Sequence, residues 1–236
     1  MGSFLNVVIV RLPRKESIVT RRSHCLACGA MIRWFDNLPL LSYFWLKGRC
    51  RDCGSRISWR YPVVEGATAV VFALSGLHFG LTLQLLPVLL LLSALVIVTV
   101  TDLEHQLIPD RITLPGVAAG FLASLVIPGP AWVDSLIGIL GGGGIFFVII
   151  ALSGGGMGGG DMKLAAMVGA FLGWKLTLLA LFLGVFVGGF VAVALLVGGL
   201  RSRKDPIPFG PFVALGAAIS LFWGEELLRW YLVGFR

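Results

Sequence analysis

The chain has 236 residues, 57% of them hydrophobic and 13% charged, with a mean hydropathy of +0.93 and a formal charge of +7. These fractions lie outside those of soluble domains and describe an all-α polytopic membrane protein with no nucleic-acid partner expected. The positive charge is local rather than general: residues 11–62 hold eleven Lys and Arg against three acids, a balance of +8, together with all four cysteines.

Residues 2–10 are apolar but far short of the roughly 20 residues a crossing helix needs, so they read as the last half of a first transmembrane helix. A signal peptide is disfavoured, because the charges follow the apolar run and no small-residue cleavage site is present. Residues 11–62 form a cytoplasmic module rich in turn residues. Its cysteines make two knuckles, Cys25-Leu26-Ala27-Cys28-Gly29 and Cys50-Arg51-Asp52-Cys53-Gly54. Four thiolates so spaced suit a closed, tetrahedral structural zinc, each glycine letting backbone amides turn towards a sulfur. The alternative, a pair of disulfides, is disfavoured in a cytoplasmic compartment.

From residue 66 to residue 101 there is no Asp, Glu, Lys or Arg, enough for spans two and three with a turn near His78-Phe79-Gly80. Span four is expected over 112–133, span five over 132–152, a short and broken span six over 162–174, span seven over 176–200 and span eight over 209–233. That makes about eight transmembrane helices, the first truncated. With the loop after the first helix in the cytoplasm, parity places residues 101–111, 153–162 and 201–208 on the same side. The charges agree, since sixteen Lys and Arg fall inside against Lys175, Arg229 and Arg236 outside.

Two acid-bearing segments meet at that membrane edge. Residues 101–110 carry Asp102, Glu104 and Asp110, and the loop from Gly154 to Lys163 has six glycines in seven positions followed by a single acid, Asp161. Such a loop leaves a backbone that a guest chain can approach closely. Taken alone, Asp161 reads equally well as an N-cap for a helix starting at Met162. Taken with Asp102, it reads as half of a carboxylate pair that shares a proton and activates water.

The ordered set Gly2-Ser3-Phe4-Leu5-Asn6 with Arg11-Leu12-Pro13, both knuckles, Asp36-Asn37-Leu38-Pro39, Gly48-Arg49-Cys50, Arg60-Tyr61-Pro62 with Glu65, Asp102 with Ile108-Pro109-Asp110, the Gly158-Gly159-Gly160-Asp161-Met162-Lys163 run and Pro208-Phe209-Gly210-Pro211 resembles the prepilin peptidases of type IV pilus and type II secretion systems. The resemblance implies an eight-helix aspartic protease of the bacterial inner membrane with catalytic residues Asp102 and Asp161 at the cytoplasmic side. It further implies type IV prepilins or pseudopilins as substrates, membrane lipid as surroundings, and a second, S-adenosylmethionine-dependent N-methyltransferase activity for which Gly48 is the candidate residue. Cys25, Cys28, Cys50 and Cys53 then hold structural zinc. Gly158, Gly160 and Lys163 support the catalytic loop, with Lys163 pointing away towards headgroups or substrate, and Asp110 caps span four. The domains read as a remnant of the first helix over 1–10, the zinc module over 11–62 and the protease domain over 63–236. An ion-coupled transporter would place its acids near the midplane between inverted repeats, and GxGD proteases that cleave within membrane helices lack, as a family, the four-cysteine module.

Overall fold

The structure, a computed structural model, describes residues 1–17, 23–152, 158–200, 202, 205 and 207–234. Gly154, Gly155, Gly156 and Met157 of the glycine loop, and Arg201, Arg203 and Lys204, lie outside the described residues. Eight α-helices carry the described chain: α1 (Gly2–Arg11), α2 (Leu41–Trp45), α3 (Arg60–Phe79), α4 (Leu85–His105), α5 (Asp110–Val126), α6 (Trp132–Leu152), α7 (Gly159–Val197) and α8 (Gly210–Gly234). A single 3₁₀ turn at Trp34–Asn37 precedes α2, and among the described residues there is no strand, only isolated antiparallel bridges. Five of the helices, α3, α4, α6, α7 and α8, are long and apolar enough to cross a membrane, and the chain is a multi-pass membrane protein.

The expected spans map onto these helices with instructive shifts. α3 begins at Arg60 rather than near residue 66, because Pro62 falls in the first turn, where a missing N–H costs nothing, and the Ser58 hydroxyl accepts the Arg60 amide at 3.3 Å. Span four stops at Val126, short of the Pro128-Gly129-Pro130 run. Spans six and seven are the two arms of α7, which is 39 residues long and broken at Gly173 with φ 72° and ψ 171°. That positive φ is closed to ordinary L-residues, and a glycine absorbs it without strain. Of the shorter helices, α1 is apolar but too brief to count among the five spans.

The chain divides into two compact units, Met1–Leu77 and His78–Arg236. In the first, α1 and α3 run antiparallel: the Ser3 hydroxyl donates to Glu65 Oε1 at 2.6 Å and Asn6 Nδ2 donates to the Tyr61 carbonyl at 3.1 Å. A Cβ on Gly2 would stand 2.8 Å from the Glu65 Cα, so the two backbones touch. In the second, α7 packs against α5, α6 and α8. Within lipid no hydrophobic gain draws helices together, so close backbone approach and interhelical hydrogen bonds must do so. Gly142 lies against the Ala165 carbonyl, 2.7 Å from where its Cβ would be. Ser135 donates to the Ala170 carbonyl at 2.8 Å and Ser220 to the Leu176 carbonyl at 2.6 Å. Leu77, Val126, Phe190 and Val197 remain exposed, as expected of side chains that face acyl chains.

Candidate active site and zinc centre

Asp102 lies one turn from the end of α4, where it is 5% exposed, beside the fully buried Thr101. The helix closes at Gln106, a left-handed residue whose amide bonds back to the Asp102 carbonyl at 2.9 Å. A carboxylate near a helix C-terminus is placed against the helix dipole. The compensation comes from another helix, since the Gly210 amide, first in α8, donates to Asp102 Oδ2 at 2.8 Å. Any Cβ at Gly210 would sit 2.8 Å from that same oxygen. Glycine is therefore what lets the α8 terminus reach the acid.

Asp161 is the third residue of α7, behind an extended N-cap at Gly158. Its amide bonds to the Gly158 carbonyl at 3.2 Å, and its carboxylate accepts the Gly158 N–H. This is the third-residue half of a capping box, the glycine at the N-cap having no side chain to return the bond. The helix thus starts three residues before Met162, and Asp161 is not an N-cap but an acid folded back over the cap. Asp102 and Asp161 stand near enough for the charge of one to act on the other. Gly160 faces the segment between α4 and α5, and a Cβ there would meet the Ile108 Cβ at 2.8 Å. At Gly158 a Cβ would find only ordinary contact, 3.6 Å from Asp161 Oδ2.

Lys163 donates to Asp110 Oδ2 at 2.6 Å, tying the first turn of α7 to the first residue of α5. The lysine is thus directed at Asp110, which is not the cap expected of it: Pro109 holds the N-cap position of α5 and no side-chain cap forms. Glu104 and His105 belong to the last turn of α4, 3.9 Å apart and partly exposed. A cavity of about 450 Å³ opens at the other end of this unit, lined by Val88, Leu91, Ile127, Phe171 and Leu221 among others, and neither aspartate lines it.

In the first unit the two knuckles are copies of one another. The Cys25 amide bonds to the Ala30 carbonyl and the Cys50 amide to the Ser55 carbonyl, each at 2.8 Å, while Gly29 and Gly54 amides return to the Cys25 and Cys50 carbonyls. Gly29 and Gly54 take φ of 73° and 70°, and bridges His24↔Met31 and Arg49↔Arg56 close each loop. All four Sγ atoms lie within 4.8 Å of one another, with Cys25 and Cys53 at 3.9 Å. Sulfurs at about 2.3 Å from a tetrahedral zinc stand about 3.8 Å apart, so the donor set fits the ion. The cysteines are free thiols. The Cys28 and Ala27 amides and the Ser55 hydroxyl draw Cys25 down to about 6. At Cys28 the Ala30 amide pulls downward, but the neighbouring sulfurs of Cys53, Cys25 and Cys50 push the thiol up to about 12. Four thiolates in one place thus call for a cation. Asp36 braces the second knuckle through a two-point contact with Arg51 at 2.6 and 2.8 Å, which holds its carboxyl below the usual range. Gly48 adopts φ 66° with the Tyr43 hydroxyl 2.9 Å from the place of its Cβ.

The Bacterial Peptidase A24 N-terminal domain model matches residues 1–79, and the type IV leader peptidase family model matches residues 89–193. A Bacillus subtilis (strain 168) protein named prepilin leader peptidase/N-methyltransferase is 37% identical over 98% of this chain and 94% of its own length. The chain belongs to the type IV leader peptidase family. Proteins of the same name from Pseudomonas aeruginosa and Legionella pneumophila are 36% and 34% identical, covering 100% and 98% of this family member and 92% and 91% of their own lengths. No solved structure matches it. Within this leader peptidase family member, sequence reasoning gave no role to Gly210. The signal available was Pro208-Phe209-Gly210-Pro211: a proline early in an apolar helix marks its N-terminus, and a glycine just ahead of it marks a close approach.

Proposed function

We propose that this enzyme is a membrane aspartic endopeptidase that removes the short basic leader of type IV prepilins or pseudopilins at the cytoplasmic edge of a bacterial inner membrane, and then N-methylates the new amino terminus. The observation that carries the reading is the pairing of Asp102 and Asp161 at the ends of two apolar helices, each carboxylate oriented by a backbone amide from a glycine. Family membership supports prepilin processing. The arrangement at helix ends supports a cut at the membrane boundary rather than at its midplane.

In the proposed reaction the ionised member of the pair takes a proton from water as that water attacks the scissile carbonyl. The protonated member donates to the forming oxyanion, and the roles reverse as the amine leaves. Water adds across the C–N bond, and no covalent enzyme intermediate forms. The Gly210 and Gly158 amides fix the carboxylates before substrate arrives, so little reorganisation is required during the step. Gly160 keeps the α4–α5 segment close enough for the pair to act together, and Lys163, engaged with Asp110, leaves the dyad free of a direct cation.

We assign residues 11–62 as a cytoplasmic zinc module and residues 63–236 as the protease domain. Cys25, Cys28, Cys50 and Cys53 would hold the zinc, which closes its own coordination and supplies fold stability rather than chemistry. Methyl transfer from S-adenosylmethionine belongs in this reading to the N-terminal part. Tyr43 lies over Gly48, so Gly48's part in methyl transfer would be to shape its turn rather than to touch the donor, and no step is routed through it. Incubating the purified enzyme with a prepilin and S-adenosylmethionine, then weighing the product, tests both activities. Loss of the leader mass and gain of one methyl group is the expected result; an intact prepilin would contradict the assignment.

A further inference from the structure

α2 is an odd element for a water-soluble module, because none of its five residues is buried. Leu41 is 68% exposed, Phe44 68% and Trp45 82%. Spaced i, i+3 and i+4, these three share one helical face. Two contacts fix where that face stands. The amide of Leu40, the residue just ahead of α2, donates to Glu65 Oε2 at 2.9 Å, and Glu65 is the sixth residue of α3, about 8 Å along the helix from its start. Leu40 adopts φ 61° and ψ −50°, a conformation L-residues rarely take, so the chain is bent sharply to make this contact. On the other side, the Tyr43 ring lies 5.3 Å from that of Trp59, and Trp59 directly precedes α3.

α3 is one of the spans, so its first turns mark the boundary between headgroups and acyl chains. α2 is held at that same level. Its exposed face is apolar and aromatic, Trp59 beside it is 70% exposed, and Lys47 and Arg49 follow it as exposed cations with no acid anywhere in residues 38–51. Tryptophan and long cationic side chains are the residues that settle at a bilayer interface, and basic ones prefer anionic headgroups.

We infer that the Leu41, Phe44 and Trp45 face of α2 is an interfacial anchor, seated among acidic phospholipids, that docks the zinc module onto the membrane surface. The inference does not depend on the proteolytic reading. It makes the module part of the membrane boundary instead of a freely solvated domain.

The test uses the full chain in nanodiscs of phosphatidylcholine with or without phosphatidylglycerol. A spin label carried on a non-canonical residue replaces Trp45 in one sample and Asp52, an exposed knuckle position, in a control, leaving the four cysteines to their metal. Zinc content checks that each sample is folded. Position 45 should be open to lipid-soluble oxygen and shielded from an aqueous nickel complex, more deeply so with phosphatidylglycerol, and Lys47→Gln with Arg49→Gln should remove that added depth. Position 52 should show the reverse accessibility. The inference is overturned if position 45 is as open to nickel as position 52. It is equally overturned if position 45 is closed to both reagents, as beneath another protein surface or a second copy, or if adding a prepilin abolishes its oxygen access.

Discussion

Three glycines near the aspartates make different demands, and a scan to alanine separates them. At Gly210 an added Cβ would lie 2.8 Å from Asp102 Oδ2 and 3.3 Å from its Cβ and Cγ, so the amide that donates at 2.8 Å must withdraw. A hydrogen bond to a charged group contributes about 1.5–3 kcal/mol, which converts to a loss of about 10- to 150-fold in cleavage rate. Gly160→Ala forces a Cβ to 2.8 Å from Ile108, which must shift the α4–α5 segment against α7. A displacement of about 1 Å can cost about 100-fold in a positioned reaction. Gly158→Ala meets nothing nearer than 3.6 Å and keeps a φ of −79° that alanine accepts, so its rate should stay within about threefold, the scale of a surface substitution within ±0.5 kcal/mol. Initial rates on one prepilin, read by mass spectrometry with thermal unfolding as a control, give the comparison. Wild-type activity in Gly210→Ala, or a loss in Gly158→Ala equal to that in Gly210→Ala, would refute the steric argument.

Purified enzyme should carry about one zinc per chain, and chelation or Cys25→Ser should raise hydrogen exchange in residues 23–57 before the spans respond, because a closed thiolate site contributes folding free energy to its own module; metal analysis with hydrogen-exchange mass spectrometry checks both. Asp110→Asn and Lys163→Gln should each lower cleavage by about fivefold or less, since the pair is partly exposed and such pairs contribute at most about 1 kcal/mol. The double variant should be no worse than either single, an outcome that a double-mutant cycle reads directly. Arg51→Met should loosen the Trp34–Asn37 turn without releasing zinc, because it removes the brace on Asp36 but none of the four thiolates; hydrogen exchange and metal content on the same sample distinguish the two effects.

What the sequence made legible was local or periodic. The knuckles could be read because each is a closed loop of eight residues, His24 to Met31 and Arg49 to Arg56, whose glycine sits where the turn needs a positive φ. The spans could be read from uninterrupted apolar length, and the shared edge of Asp102 and Asp161 from parity and charge alone. What stayed hidden depended on distant partners. Gly210 meets Asp102 from a helix 108 residues further along the chain, and no local pattern encodes that meeting. Asp110 has the residue type of a cap, yet Pro109 takes the N-cap position of α5 and the Asp110 carboxylate meets Lys163 from α7 instead. Taken alone, Asp161 read equally well as a cap, but the glycines before it are helical from Gly159, because packing overrides their low propensity. The separation of spans six and seven was legible, and the structure places the break between them at the single residue Gly173. The short α2 segment, apolar inside a basic module, carried no period long enough to identify.

The central claim is that Asp102 and Asp161 work as one proton-sharing pair, and the most direct measurement takes Asp102→Asn and Asp161→Asn through two assays on the same purified sample. One supplies an intact prepilin; the other supplies an already cleaved pilin with S-adenosylmethionine. Each variant should lose leader removal by a factor of about 100 to 10,000 or more while still methylating the cleaved pilin, which shows that the protein is folded. Cleavage near the wild-type rate by either variant would contradict the pairing.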